Sequence, residues 1–186
     1  MEFAFTEEQD AIRDTARRFA NDRLAPDFQQ RELDGKIGRG LLTEMGALGL
    51  IGVDLPEEYG GLGLDCVTSG IVVEEIAAAD LSVSYIQLIG SLNGRLLSDH
   101  ATPEFAARAI GAICSGRSIT ALGLTEPRGG SDAAGMILRA RRDGEDYVLN
   151  GEKTSISFST QADEIMLFAR TGSEEEKARG VSTFYA

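Results

Sequence analysis

Ile119-Thr120-Ala121-Leu122-Gly123-Leu124-Thr125, followed at once by Glu126-Pro127-Arg128-Gly129-Gly130-Ser131-Asp132, is where this chain changes character. The first run is short, apolar and β-prone; the second is punctuated by a proline, two adjacent glycines and small polar groups, as a loop is. Downstream, Ile137-Leu138-Arg139-Ala140-Arg141 alternates apolar with basic, Asp143-Gly144 is a turn dipeptide, Tyr147-Val148-Leu149 is β-prone and Asn150-Gly151 signals a hairpin. Ile165 to Ala169 supplies another strand and Gly180 to Ala186 starts one more. A sheet cut off inside an apolar strand leaves an edge without its partner, so the expectation is the front portion of a longer polypeptide.

Upstream of Ser118 the pattern is helical. Thr6-Glu7-Glu8-Gln9 fits a capping box, behind which Ala11, Ile12, Ala16, Phe19, Ala20 and Leu24 share one face. This helix is expected to end near Pro26 or somewhat beyond. Leu41, Leu42, Met45, Leu48 and Leu50 form a second apolar pattern. Thr68–Ala79, Val83–Ser98 and Pro103–Cys114 repeat alanine, leucine and isoleucine at helical spacing, and Ser98 to Pro103 reads as a loop between helices. The expected fold is therefore α+β and multidomain: an all-α helical bundle over residues 1–116, then an incomplete antiparallel β-barrel over residues 117–186.

Composition narrows the function. The chain has 186 residues, 42% hydrophobic, enough for a buried core, and a formal charge of -12 that repels polyphosphate, so general nucleic-acid binding is not expected. No stretch approaches the roughly 20 apolar residues of a membrane-spanning helix, and Met1-Glu2 is not a basic leader start, so a cytoplasmic protein is expected. Cys66 and Cys114 read as structural thiols in helices, and no zinc site is suggested. His100 is the only histidine and reads as a surface residue, which leaves little for Ser-His-Asp or Cys-His catalysis. Gly60, Gly61 and Gly63, after Leu55-Pro56-Glu57-Glu58-Tyr59, have no β-run leading into them at dinucleotide-binding spacing.

Two segments resemble the acyl-CoA dehydrogenase family: Gly123 to Asp132 is similar to its flavin-loop motif, and Leu149-Asn150-Gly151-Glu152-Lys153-Thr154-Ser155-Ile156-Ser157 to the hairpin that follows. Leu55 to Gly61, in the helical part, fits the same pattern. The residue chemistry suits such a ligand. A flavin needs hydrogen-bond partners along its pyrimidine edge and donors for a pyrophosphate, and small hydroxyls with close-approaching glycine backbone supply them.

The resemblance implies FAD as cofactor, with Leu122, Leu124, Thr125 and Ser131 along it, Thr125 at the pyrimidine edge and Ser131 near the pyrophosphate and the pantetheine arm of the substrate. Ser155, Ile156 and Ser157 would lie against the ring system, with the Ser157 hydroxyl near N5. Many members have tryptophan where this chain has Ser155 and threonine where it has Ser157. The serine for tryptophan removes a large apolar wall, which Phe158 or another part of the chain must replace. Taken alone, Ser155 and Ser157 also read as exposed strand serines.

The family's activity is α,β-dehydrogenation of an acyl-CoA, with electrons passed to an electron-transferring flavoprotein. Its catalytic base lies in a C-terminal helical domain not matched here, so no catalytic residue is assigned: Glu74 and Glu75 read as solvated helix charge, and Glu126 is not promoted. The resemblance also places Tyr85, Ile86, Gln87 and Ser91 at the acyl end, with Gln87 as a substrate-binding candidate; the same residues also read as helix surface. It further implies a homotetramer. An acyl-CoA oxidase or monooxygenase of the same fold, favoured by a more open flavin, and a non-catalytic fragment are the alternatives.

Overall fold

The computed structural model describes residues 4–186, so Met1 and Glu2, read above against a targeting leader, lie outside the described residues. The chain forms two compact units, one running to Ile119 and one spanning Thr120–Ala186.

The first unit is helical. Helix α1 (Glu7–Phe19) starts at the expected capping box: Thr6 Oγ1 accepts from the Gln9 amide, and Gln9 Oε1 accepts from the Thr6 amide. Ala16 and Phe19 on its inner face are buried, followed by Ala20 and Leu24, whereas Ala11 stays exposed. The helical path does not end at Pro26. A π turn over Ala20–Leu24 and a 3-10 turn over Ala25–Asp27 carry it into α2 (Phe28–Asp34), which Gly35 terminates in the left-handed conformation. Proline lacks an N–H, and the change of helix type places it where the regular ladder is already interrupted.

Helix α3 (Arg39–Ala47) buries Leu42 and Met45, but Leu48 points out. Asp65 and Asp80 cap α4 (Cys66–Ala79) and α5 (Leu81–His100), accepting from the Thr68 and Val83 amides respectively. Helix α5 runs to His100, so only Ala101 and Thr102 separate it from α6 (Pro103–Cys114), a shorter link than Ser98 to Pro103. His100 is exposed, as expected. Helix α4 packs against α1 and α5, and α5 against α6. The glycine loop after Leu55 is closed by its own backbone, Gly61, Leu62 and Gly63 donating to the carbonyls of Pro56, Gly52 and Leu55, and those amides are spent.

The second unit is open, as an incomplete barrel would be, and corrects the antiparallel expectation in its strand directions. Strands β1 (Thr120–Gly123), β2 (Arg139–Asp143), β3 (Asp146–Asn150), β4 (Glu164–Arg170) and β5 (Val181–Tyr185) form one open, mixed sheet. Strand β4 is parallel to β1, with Ala121 opposite Ile165, and touches β2 in parallel at Arg139 and Arg170; β5 is antiparallel to it. The β2–β3 hairpin turns at Gly144-Glu145, where Asp143 pairs with Asp146. Asn150-Gly151 is not a second hairpin. Gly151, at φ 146°, passes so close to Leu138 that a Cβ would lie 2.8 Å from its Cα, and residues 151–163 then cross to β4. Leu138, Ala140 and Ala169 form the core of this unit with Leu149, Leu167 and Phe184 around them.

The two thiols differ in setting. Cys66 is exposed, whereas Cys114 is buried, and burial pushes its pKa up to about 11. In a thiol-reagent titration of the native protein, one thiol reacts fast and the second only in denaturant; Cys66→Ser abolishes the fast phase.

Candidate functional site

The candidate site lies in the second unit, where β1 runs out into Leu124 and Thr125. The chain turns tightly at Pro127-Arg128, with the Glu126 and Gly129 amides donating to each other's carbonyls at 3.1 and 2.9 Å. Gly129 has φ 148° with open space where a Cβ would sit, and a Cβ on Gly130 would meet Thr125 Oγ1 at 3.0 Å. Both glycines therefore keep the backbone accessible beside Thr125.

The crossover 151–163 returns to the same place. The Thr154 amide donates to the Thr125 carbonyl at 2.9 Å. Just before it, the Lys153 ammonium donates to the Leu124 carbonyl and to Glu126 Oε1, both at 3.0 Å. The Lys153 and Glu126 side chains are only 5% and 4% exposed. Glu126 also accepts from the Ile137 and Leu138 amides at 2.8 and 2.9 Å. Burial alone would raise the Glu126 carboxyl, but the two amides and the ammonium outweigh it and hold its pKa below the ordinary value. A carboxylate spent on three donors is no free base, which agrees with leaving Glu126 out of the catalytic role.

Sequence reasoning missed Arg170, at the end of β4. It is 1% exposed, and its guanidinium donates to the carbonyls of Met136 (2.8 Å), Ala134 (2.6 Å), Ser173 (2.9 Å) and Lys177 (3.1 Å). Glu126 thus holds the amide side of segment 136–138, and Arg170 the carbonyl side of the residues leading into it. An arginine closing an apolar strand carries no signal for such a role.

Leu122, Leu124, Thr125, Ile156 and Ser157 are half-buried, while Ser131 and Ser155 are exposed. Ser155 and Ser157 are not strand residues. They belong to the crossover, where Ser155 (φ 55°) and Phe158 (φ 63°) both take the left-handed conformation, at a cost of order 1–3 kcal/mol each. The hydrogen bond between Thr154 and Thr125 brings 124–125 and 154–157 together; Ser131 follows the turn. Gln87, by contrast, is fully buried in the helical unit. Its Oε1 accepts from the Gly52 amide at 2.6 Å and its Nε2 donates to Ser69 Oγ at 3.0 Å, so it is not helix surface and its amide braces the fold. Ser91 is likewise bound to Asp54 at 2.7 Å. Glu75 pairs with Arg17 at 2.6 Å, and Glu74 is exposed. Among the described residues no group of three His, Cys, Asp or Glu could hold a metal, and no helix is long and apolar enough to cross a membrane.

Sequence profiles described as acyl-CoA dehydrogenase, N-terminal domain, and acyl-CoA dehydrogenase, middle domain, match residues 6–117 and 121–186. This chain belongs to the acyl-CoA dehydrogenase family. A probable acyl-CoA dehydrogenase, YngJ, of Bacillus subtilis is 34% identical over 95% of this chain and 47% of its own length. A glutaryl-CoA dehydrogenase of Mycobacterium smegmatis solved with FADH2 is 28% identical with a TM-score of 0.87, over 98% of this chain and 46% of that one. A chain from a structure of the electron transferring flavoprotein of Acidaminococcus fermentans is 33% identical with a TM-score of 0.89, over 100% and 49%. The chain thus spans about half the length of these relatives.

The family implies a flavin, and the donor set suits one. Thr125, Ser131, Ser155 and Ser157 are half-buried or exposed, and a hydroxyl, which can donate and accept, beside accessible glycine backbone suits a polar ligand edge.

Glu126 makes stability depend on pH. Its folded pKa is depressed, so its contribution is present above the ordinary carboxylate pKa and is lost as pH falls through the folded value. Denaturant midpoints of the chain are expected to fall on going from neutral to acid pH, and Glu126→Gln to be less stable at pH 7 with a shallower fall.

Proposed function

We propose that this chain carries the N-terminal and middle portions of an FAD-dependent acyl-CoA dehydrogenase that oxidises an acyl-CoA to its α,β-unsaturated thioester and delivers electrons to an electron-transferring flavoprotein. The observation that carries the proposal is the meeting of Leu124-Thr125 with Thr154–Ser157, fixed by the hydrogen bond from Thr154 to Thr125, which gathers the hydroxyl-bearing Thr125, Ser155 and Ser157. FAD supplies the acceptor for the β-hydrogen as hydride. Thr125 would bind its pyrimidine edge, Ser157 would orient N5, and Leu122 and Ile156 would exclude water. Ser131 would meet the pyrophosphate and the pantetheine arm. The α-proton goes to a glutamate in a C-terminal helical domain, and the active assembly is a homotetramer; relatives twice as long as this chain support that division. Gln87 would act on the acyl end only indirectly, through the packing it braces.

Ser155 also favours a second reading, an acyl-CoA oxidase or monooxygenase of the same fold, because a small residue replaces the usual indole wall. The full-length protein separates the two: anaerobic acyl-CoA bleaching with slow reoxidation in air supports the dehydrogenase, and rapid peroxide formation without an added acceptor supports the oxidase.

Titrating the 186-residue chain into FAD tests the cofactor reading. Stoichiometric binding is expected, with Thr125→Ala and Ser157→Ala each weakening it by about 3- to 10-fold, the worth of one hydrogen bond. Absence of any FAD binding overturns it.

A further inference from the structure

Lys153-Thr154 grips Leu124-Thr125 in step. The Lys153 ammonium takes the Leu124 carbonyl and the Thr154 amide takes the next carbonyl, that of Thr125. The ammonium is buried and its charge is met by Glu126, which is itself tied to the Ile137 and Leu138 amides. A slip of one segment along the other would strand a buried cation away from its carboxylate, so the arrangement favours a single register. From the geometry we infer that Lys153 is a positioning residue: with Glu126 as its counter-charge, it locks the register between 122–125 and 155–157 so that their hydroxyls and backbone meet FAD together. This rests on the reading that those two segments take FAD. Lys153 acts through these segments and not as a ligand group, since its ammonium is occupied by protein oxygens.

The test is amide hydrogen exchange joined to FAD titration on the 186-residue chain. In Lys153→Met the Thr154 amide is expected to exchange at least about tenfold faster, while the β4–β5 ladder stays within about twofold. The same variant binds FAD about tenfold more weakly, and Lys153→Arg, which keeps the charge, recovers most of that loss. Glu126→Gln/Lys153→Met, which leaves no lone buried charge, is measured alongside and is expected to show the same released Thr154 amide, so the comparison stands whether or not the single variant folds. Unchanged Thr154 exchange, or a rise shared equally by the β4–β5 ladder, overturns the register lock. Released Thr154 with unaltered FAD affinity overturns its role toward the flavin. A wild-type chain that binds no FAD, with Thr154 still released in the variants, removes the flavin reading and leaves the register lock standing.

Discussion

The buried contact between Lys153 and Glu126 is the constraint around which the second unit is arranged. Two opposite charges, each almost fully withdrawn from water, tolerate little displacement, because losing either partner costs about 3–5 kcal/mol. Each charge also recruits backbone: Lys153 fixes the end of the first strand through Leu124, and Glu126 fixes the approach to β2 through Ile137 and Leu138. Three stretches distant in sequence are therefore held at one point. The left-handed Ser155 and Phe158 that follow are sustained by this surrounding order, since a loop free to relax would not keep two strained residues so close together.

The helical unit uses polar burial differently. Asp80 caps α5 and at the same time pairs with Arg31 at 2.7 Å, so one carboxylate fixes both a helix start and the arm formed by α2. Gln87 joins the Gly52 backbone to Ser69. Each of these groups is hydrogen-bonded locally, which lets the surrounding layers stay apolar.

Most of the helices were legible because their signals are local. The capping box at Thr6 and the proline opening α6 state their positions within a few residues, whereas the expected starts at Thr68 and Val83 fall inside α4 and α5, which the caps Asp65 and Asp80 begin at Cys66 and Leu81. Strand positions were legible for the same reason, but strand directions were not. Whether β4 runs parallel to β1 depends on the path of residues 151–163 between the β2–β3 hairpin and β4, which the pattern of strand and turn residues does not state. The Asn-Gly pair was misleading because its glycine serves the close approach to Leu138 instead of a two-residue turn. The pattern singles out Thr125, Ser155 and Ser157, which the fold brings near one another through the Thr154–Thr125 hydrogen bond, but not the bracing contacts of Lys153 and Arg170, which consist of carbonyls and amides that no side-chain pattern encodes. Gln87 reads as helix surface in the sequence, whereas the fold buries it and ties its amide to Gly52 and Ser69.

The residues leading to β2 have two handles of unlike kind. Glu126 grips amides with a group that can gain a proton; Arg170 grips carbonyls with one that in practice cannot lose its own. Acid therefore weakens one handle and spares the other, and leaves the Lys153 ammonium beside a neutral acid. The acid-sensitive attachment is that of the Ile137 and Leu138 amides, while the carbonyls held by Arg170 keep theirs.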